Sequence, residues 1–450
     1  MRRNVKGLFE GIGGLIALAL PMVGSQLLQL TYNFIDMIWV GRLGGNAVAA
    51  VGSAGFFLNL GWALASIITV GVNVKLAHSI GAREELHSKQ IAKGGLLGMI
   101  ILASFFSFVM GGNATYWISM FNIESQWVND AASIYLSIGA WGAVVTFLNL
   151  LFISVLNSYK QTKSAFKINS IGFVLNIILD PILIFGMGLG VKGAIIATLI
   201  SKLVTLFFLA RMVYLQGYLK VSIKHVGVST LRSIVKIGFP TSVQRIIFGL
   251  IYIVMGRFIA SFGSDAIAIQ KIGIQIESIT FTLVAGVSQA STIIVGQLYG
   301  AKNYREIKRT YKQALTISSS VGLILMLIFI LVPEYLIRIF VDDPMIIEGG
   351  IWYLRIIALS QIFMTSEMIG MGTLNGLGLT FIPPINSVIL TSLRIPLAYY
   401  LAFVVPVGLT GIWWSISITS ILKGIVLTTM VYYIYRKKIK PNEAVVTDNN

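Results

Sequence analysis

The 450-residue sequence has no cysteine, only three histidines, and little charge: Asp, Glu, Lys and Arg together make up 11%. Soluble globular chains carry about 25% charge. Each shortage excludes a class of protein. Without cysteine there is no disulfide framework and no thiol chemistry. His78, His87 and His225 sit at or near loops between apolar runs, so no metal cluster is expected. Neither an HExxH zinc motif nor a phosphate-cradling P-loop occurs. No catalytic constellation and no soluble sensing domain is visible, which argues against an intramembrane enzyme or a receptor.

What fills the space is apolar: 56% hydrophobic residues and a mean hydropathy of +0.84, laid out in long uninterrupted blocks. That pattern identifies a polytopic, all-α integral membrane protein. With ~20 apolar residues per crossing, twelve spans are predicted, at 13–39, 46–77, 92–112, 128–155, 165–187, 191–215, 233–260, 265–298, 313–333, 346–375, 381–405 and 410–435. The second and eighth are long enough to tilt or protrude. The basic start, Met1–Lys6, precedes a run too long for a signal-peptide core and reads as a retained first helix.

The net charge of +17 would suggest nucleic acid in a soluble protein. Here the bases lie in short loops, as topology signals and lipid-headgroup contacts do, and no nucleic-acid partner is expected. Sorting loops by side gives 24 Lys and Arg against 3, which places both termini in the cytoplasm.

The chain repeats itself. At an offset of 219, Pro21 falls on Pro240, Gly44 on Gly263, Ala47 on Ala266, and Gly81-Ala82 on Gly300-Ala301. At 218, Gly193 falls on Gly411. The expected organisation is an N-terminal six-helix bundle over 1–215, a cytoplasmic linker over 216–232, a C-terminal six-helix bundle over 233–435 and a polar tail over 436–450. Such repeats mark transporter folds with substrate bound between the halves. Two halves with an even number of spans are related by a pseudo-two-fold axis along the membrane normal.

The halves differ where chemistry would be carried. Asp36 stands alone among Phe34, Ile35, Met37, Ile38 and Trp39; a charged Asp deep in a bilayer costs roughly 2.5–3.5 kcal/mol on insertion scales, so it marks a site. Its counterpart in the second half is Met255. Gln29 and Asn33 share a helix face with Asp36, and with Tyr32, Tyr135 and Asn149 they are the candidate lining of a substrate cavity. Asp180 is the second intramembrane acid, four residues after Asn176 and directly before Pro181. A proline inside a helix frees the carbonyl four residues back, here that of Ile177. Amide, carboxylate and free carbonyl make an oxygen-rich pocket, suited to Na+; a proton needs only the carboxylate. Thr198 could complete it, although a mid-helix threonine commonly bonds its own backbone. Pro21 is either a static kink or a hinge. In the second half, Glu277, Glu367, Lys271 and Arg394 are expected to pair with one another, Glu277 with Lys271 or Arg394.

Taken together, Pro21, the stretch YNFIDMIWVGRLG, GAREELHSKQ with its repeat GAKNYREIKRT, and LNIILDPILIFGMGLGVKGAIIATLIS resemble the multidrug and toxic compound extrusion (MATE) transporters over essentially the whole chain. Within that family the chain is similar to the DinF-like branch. The resemblance implies a cation-coupling set of Asp36, Asn176, Asp180 and Thr198. It also implies export of amphipathic organic cations in exchange for H+ or Na+, with no cofactor and no metal beyond Na+ at that set. It further implies a monomer surrounded by lipid in the plasma membrane of a prokaryote. The NorM-like branch uses second-half acids on spans seven and ten; here span seven has none. A flippase for a lipid-linked sugar is the alternative, because spare Arg and Lys in the second half could meet an anionic headgroup.

Overall fold

The computed structural model describes residues 12–405, 407–439 and 441. The basic residues Arg2, Arg3 and Lys6, and most of the 436–450 tail, lie outside the described residues. Every regular element is helical: α1 (Ile12–Gly41), α2 (Gly45–Gly81), α3 (Glu85–Phe106), α4 (Ala114–Ser119), α5 (Gln126–Trp141), α6 (Ala143–Ser158), α7 (Thr162–Pro181), α8 (Gly190–Leu215), then α9 (Val228–Ala260), α10 (Ser264–Gly300), α11 (Tyr304–Leu331), α12 (Pro333–Arg338), α13 (Pro344–Ala358), α14 (Gln361–Gly376), α15 (Ile382–Ser392), α16 (Arg394–Tyr399) and α17 (Leu409–Ile434). Ten spans, together with two bent helix pairs, make the twelve crossings read from hydropathy. The pairs are α5 with α6, bent by 47°, and α13 with α14, bent by 50°. In the sequence each pair reads as one span, 128–155 and 346–375. The first bend sits at Gly142, where the Leu199 side chain packs against the position a Cβ would take. α2 and α10 each run 37 residues. At ~1.5 Å per residue that exceeds a hydrocarbon core of ~30 Å, so both protrude or tilt.

The repeat is written into the backbone. Gly44 and Gly263 precede α2 and α10 with φ of 102° and 99°, a region open to glycine and little else. α3 and α11 are each followed by a six-residue helix. α2 and α10 end on left-handed residues, Arg83 (φ 61°) and Lys302 (φ 56°). The amide that follows each of these reaches back over the last turn, Glu84 N–H to Ser79 O at 3.0 Å and Asn303 N–H to Leu298 O at 2.9 Å. This is the Schellman closure, achieved with charged residues rather than glycine. Both α7 and α16 run on into a five-residue π-turn, 182–186 and 400–404. A glycine of the next helix lies against each turn: a Cβ on Gly193 or Gly411 would sit 2.7 Å from the carbonyl carbon of Leu183 or Leu401.

The chain forms two compact units, Gly24–Ser242 and Met1–Val23 with Val243–Asn450. The dividing points lie three residues after Pro21 and three after Pro240, rather than in the 216–232 stretch taken for the linker. Two packing facts account for this. Leu15, Leu18, Ala19 and Met22, at helical spacing on α1, are buried with Val284, Val287 and Ala290 of α10. Ile234 of α9 is buried with Ile68 and Val72 of α2. Within the first unit, the stretch after α8 is held down by Tyr218, whose ring stacks on Tyr159 at 3.7 Å between centroids and whose hydroxyl accepts from Gln161 Nε2 at 3.3 Å.

Candidate functional site

The expected coupling residues of the Gly24–Ser242 unit come from three helices. On α1, Gln29 Nε2 donates to Asn33 Oδ1 at 3.1 Å, so the one-face spacing holds. On α7, Asn176 Nδ2 donates to Asp180 Oδ1 at 3.0 Å, with exposures of 1% and 0%. The i, i+4 spacing thus supplies one of the carboxylate's partners. α8 brings Thr198, and its hydroxyl shares a hydrogen bond of 2.7 Å with Tyr32 Oη. That contact ties the α1 stripe to the α7–α8 region. Two carboxylate oxygens, Asp36 Oδ1 and Asp180 Oδ2, are buried without a hydrogen-bond partner among the described residues. The two acids lie close enough for their charges to interact. An orphaned buried carboxylate oxygen is costly.

Beside this cluster lies a cavity of about 100 Å³. Gln29, Tyr32, Asn149 and Thr198 line it, four of the residues singled out from the sequence. Asn33 lies exposed outside it, and Tyr135, buried at 6%, sits within electrostatic range of both acids and of Tyr32 without reaching the cavity wall. Asn149 Nδ2 donates to the Lys202 carbonyl at 2.9 Å, which pins α6 to α8. The sequence reading passed over Lys202. Its side chain lines the same cavity and its charge interacts with that of Asp36. The signal was available: a base within the apolar run of α8 marks a site by the argument used for Asp36.

The second unit places a different set at the equivalent positions. At an offset of 218, Asn149 corresponds to Glu367, Asn176 to Arg394, Thr205 to Lys423 and Tyr135 to Tyr353. Here each of the four charges, on Glu277, Glu367, Arg394 and Lys423, has a side-chain partner, charged or neutral. Lys423 Nζ lies 3.1 Å from Glu367 Oε2, and Ser387 Oγ donates to Glu367 Oε1 at 2.8 Å. Arg394 donates to Thr419 Oγ1 at 3.1 Å and Ser420 Oγ at 3.3 Å. Tyr353 Oη donates to Glu277 Oε2 at 3.3 Å. Lys271 is exposed, so of the two expected partners of Glu277 only Arg394 is close enough to interact, and it does so electrostatically rather than at contact distance. Among these four, two acids and two bases cancel. Among the described residues no group of three or more His, Cys, Asp or Glu side chains could hold a metal ion.

An all-helical chain of twelve spans, built as an internal repeat with unsatisfied carboxylates buried inside one half, has the architecture of a secondary transporter. The MatE family model matches residues 21–182 and again 240–400, the two copies of the repeat. The chain belongs to that family, whose members are transporters and not enzymes. It is 27% identical to the probable multidrug resistance protein NorM of Thermotoga maritima over 410 residues, 89% of this chain and 87% of that one. It is 25% identical to the multidrug export protein MepA of Staphylococcus saprophyticus, with 93% of each covered. Among solved structures, an outward-facing multidrug resistance MATE transporter of the MOP superfamily superposes with a TM-score of 0.90 at 24% identity, covering 98% of this chain and all of that one.

Proposed function

We propose that the protein is a secondary antiporter that exports amphipathic organic compounds, with a cationic group among their features, in exchange for H+ or Na+. In this reading it works as a monomer in the plasma membrane of a prokaryote, with both termini cytoplasmic. The observation that carries the reading is the pair of buried, unpartnered carboxylate oxygens on Asp36 and Asp180, whose charges interact, with Asn176 bonded to Asp180 and Thr198 bonded to Tyr32. A cation on these oxygens satisfies them, and removing it restores two negative charges to which a cationic substrate is drawn. Ion and substrate therefore compete, and competition at one site is what exchange requires. The names of the relatives, multidrug resistance and multidrug export proteins, support the substrate class. An Asp on the first span, an Asn-Asp pair on the fifth and a Thr on the sixth support the DinF-like branch. Pro21 is the hinge in this scheme: α1 changes unit three residues beyond it, so a bend there moves Asp36 without unpacking Leu15, Leu18 and Met22. A flippase reading rests on spare bases in the second half; of these Arg394 is taken by Thr419 and Ser420, and the neighbouring Lys423 by Glu367. The test is efflux of a cationic dye from proteoliposomes under an imposed pH gradient and, separately, an imposed Na+ gradient. Transport driven by neither gradient overturns the reading.

A further inference from the structure

The cavity beside Asp36 has a basic end that the exchange scheme does not use. Thr198, Ser201, Lys202 and Thr205 follow one another at i, i+3, i+4 and i+7, so they share a face of α8, and all four line the cavity. The Lys202 ammonium has three N–H donors. One reaches Thr146 Oγ1 at a long 3.4 Å, and the head lies 5.8 Å from the centre of the Trp62 ring. It makes no ion pair at contact distance among the described residues, although Asp36 is within electrostatic range. Beside it on α8 and in the same wall, Ser201 Oγ is buried without a hydrogen-bond partner. A cation with donors to spare and an unpartnered hydroxyl, next to one another on a helix inside the membrane, are what a carboxylate accepts from. Trp62, Tyr32 and Phe173 add flat apolar walls. The space, about 100 Å³, is below the ~300–1,000 Å³ of whole-ligand pockets, so it admits an anionic group and its adjoining ring rather than an entire molecule.

We propose that Lys202 and Ser201 form a carboxylate subsite, so that the substrates taken into this cavity are aromatic amphipaths bearing an anionic group as well as a cationic one. The Asp36 and Asp180 carboxylates meet the cationic end. The inference rests on the efflux reading of the same cavity and narrows its substrate class from cations to zwitterions. Its stake is specificity: Lys202 would penalise a simple cation and reward the same cation carrying a carboxylate.

The experiment compares tetramethylrhodamine, which carries a free carboxylate on its pendant ring, with its methyl ester, which does not. Binding to the purified full-length protein in phosphatidylcholine vesicles is followed by fluorescence polarisation; that lipid has no net charge, so neither probe is drawn to the vesicle by a surface potential. Wild type is expected to prefer the carboxylate. Lys202→Met should weaken carboxylate binding by about tenfold or more, the worth of one charge-assisted hydrogen bond, and leave the ester unchanged or tighter. Lys202→Arg should keep the preference. Equal binding of both probes by wild type, or equal loss of both in a Lys202→Met protein of unchanged thermal stability, overturns the subsite. Should Lys202→Met fail to fold, Ser201→Ala decides: a selective loss of carboxylate binding supports the subsite and equal binding of both probes overturns it. Ester binding that depends on Asp36 reports on the efflux reading by itself, and persists if only the carboxylate subsite is wrong.

Discussion

Asp180→Asn separates charge from structure at the candidate coupling site. The substitution keeps size and shape, and the new amide oxygen still accepts from Asn176 Nδ2, which stands 3.0 Å from the present Oδ1. The second position holds an oxygen without a partner, so no hydrogen bond is lost there. Stability should change by no more than about 1 kcal/mol, the net worth of one hydrogen bond. Function should change far more. Asp36, Asp180 and Lys202 sum to one negative charge around the cavity; without Asp180 the sum is zero. A unit charge ~6 Å away at an effective dielectric constant of ~20 contributes about 3 kcal/mol, or about a hundredfold in affinity for a cationic ligand. Protonation removes the same negative charge, so wild-type affinity for a cationic ligand falls as pH falls, and the mutant's dependence on pH should be flatter. Coupling should go with it. One pH unit across the membrane is worth about 1.4 kcal/mol per proton, enough for about tenfold accumulation, and a site that no longer binds the ion transduces none of it. The assay is uphill dye transport in proteoliposomes under a pH gradient and under a Na+ gradient, alongside thermal unfolding in detergent. An Asp180→Asn protein that concentrates dye as wild type does refutes the assignment, as does one whose cation affinity is unchanged.

Glu367→Gln should behave in the opposite way, losing stability and keeping coupling: it strands Lys423 at 3.1 Å, and breaking a buried pair costs about 3–5 kcal/mol. Scanning calorimetry and gradient-driven efflux read the two effects, and the double variant with Lys423→Met should recover most of the stability. Pro21→Ala should slow turnover more than it weakens ligand binding, because it restores a backbone donor at the point where α1 passes between packing units; equal binding and equal turnover would leave Pro21 a static kink. Lys160→Gly should raise the melting temperature near neutral pH. The residue holds φ at 61° where the repeat has Gly378, and relieving left-handed strain is worth about 1 kcal/mol. Burial also lowers the Lys160 ammonium from 10.5 to about 8. The unfolded chain therefore binds the proton more readily, wild-type stability rises as pH goes from 8 to 10.5, and the glycine variant should lose that slope, as melting curves across this range would show.

The amino-acid sequence by itself determined the spans and their repeat. A bilayer imposes a length of apolar chain on each crossing, and that length is visible residue by residue. It also determined the local half of the candidate site. The Asn176–Asp180 bond needs only the helical i, i+4 relation, and the isolation of Asp36 among apolar neighbours is a property of its own segment. The tertiary structure decided everything that joins distant segments. The Tyr32–Thr198 hydrogen bond links residues 166 apart, and no periodicity reports it. Thr198 looked like an ordinary backbone-bonded threonine until α1 was set against α8. The bends at Gly142 and after Ala358 are invisible to hydropathy, because a broken pair is as apolar as a straight span. The division of α1 and α9 between packing units follows from which neighbours Leu15, Leu18 and Ile234 find, a choice their own helices do not contain. Glu277, Glu367, Arg394 and Lys423 are four intramembrane charges in sequence; only folding shows which of them are spent on one another and that Lys202 is not.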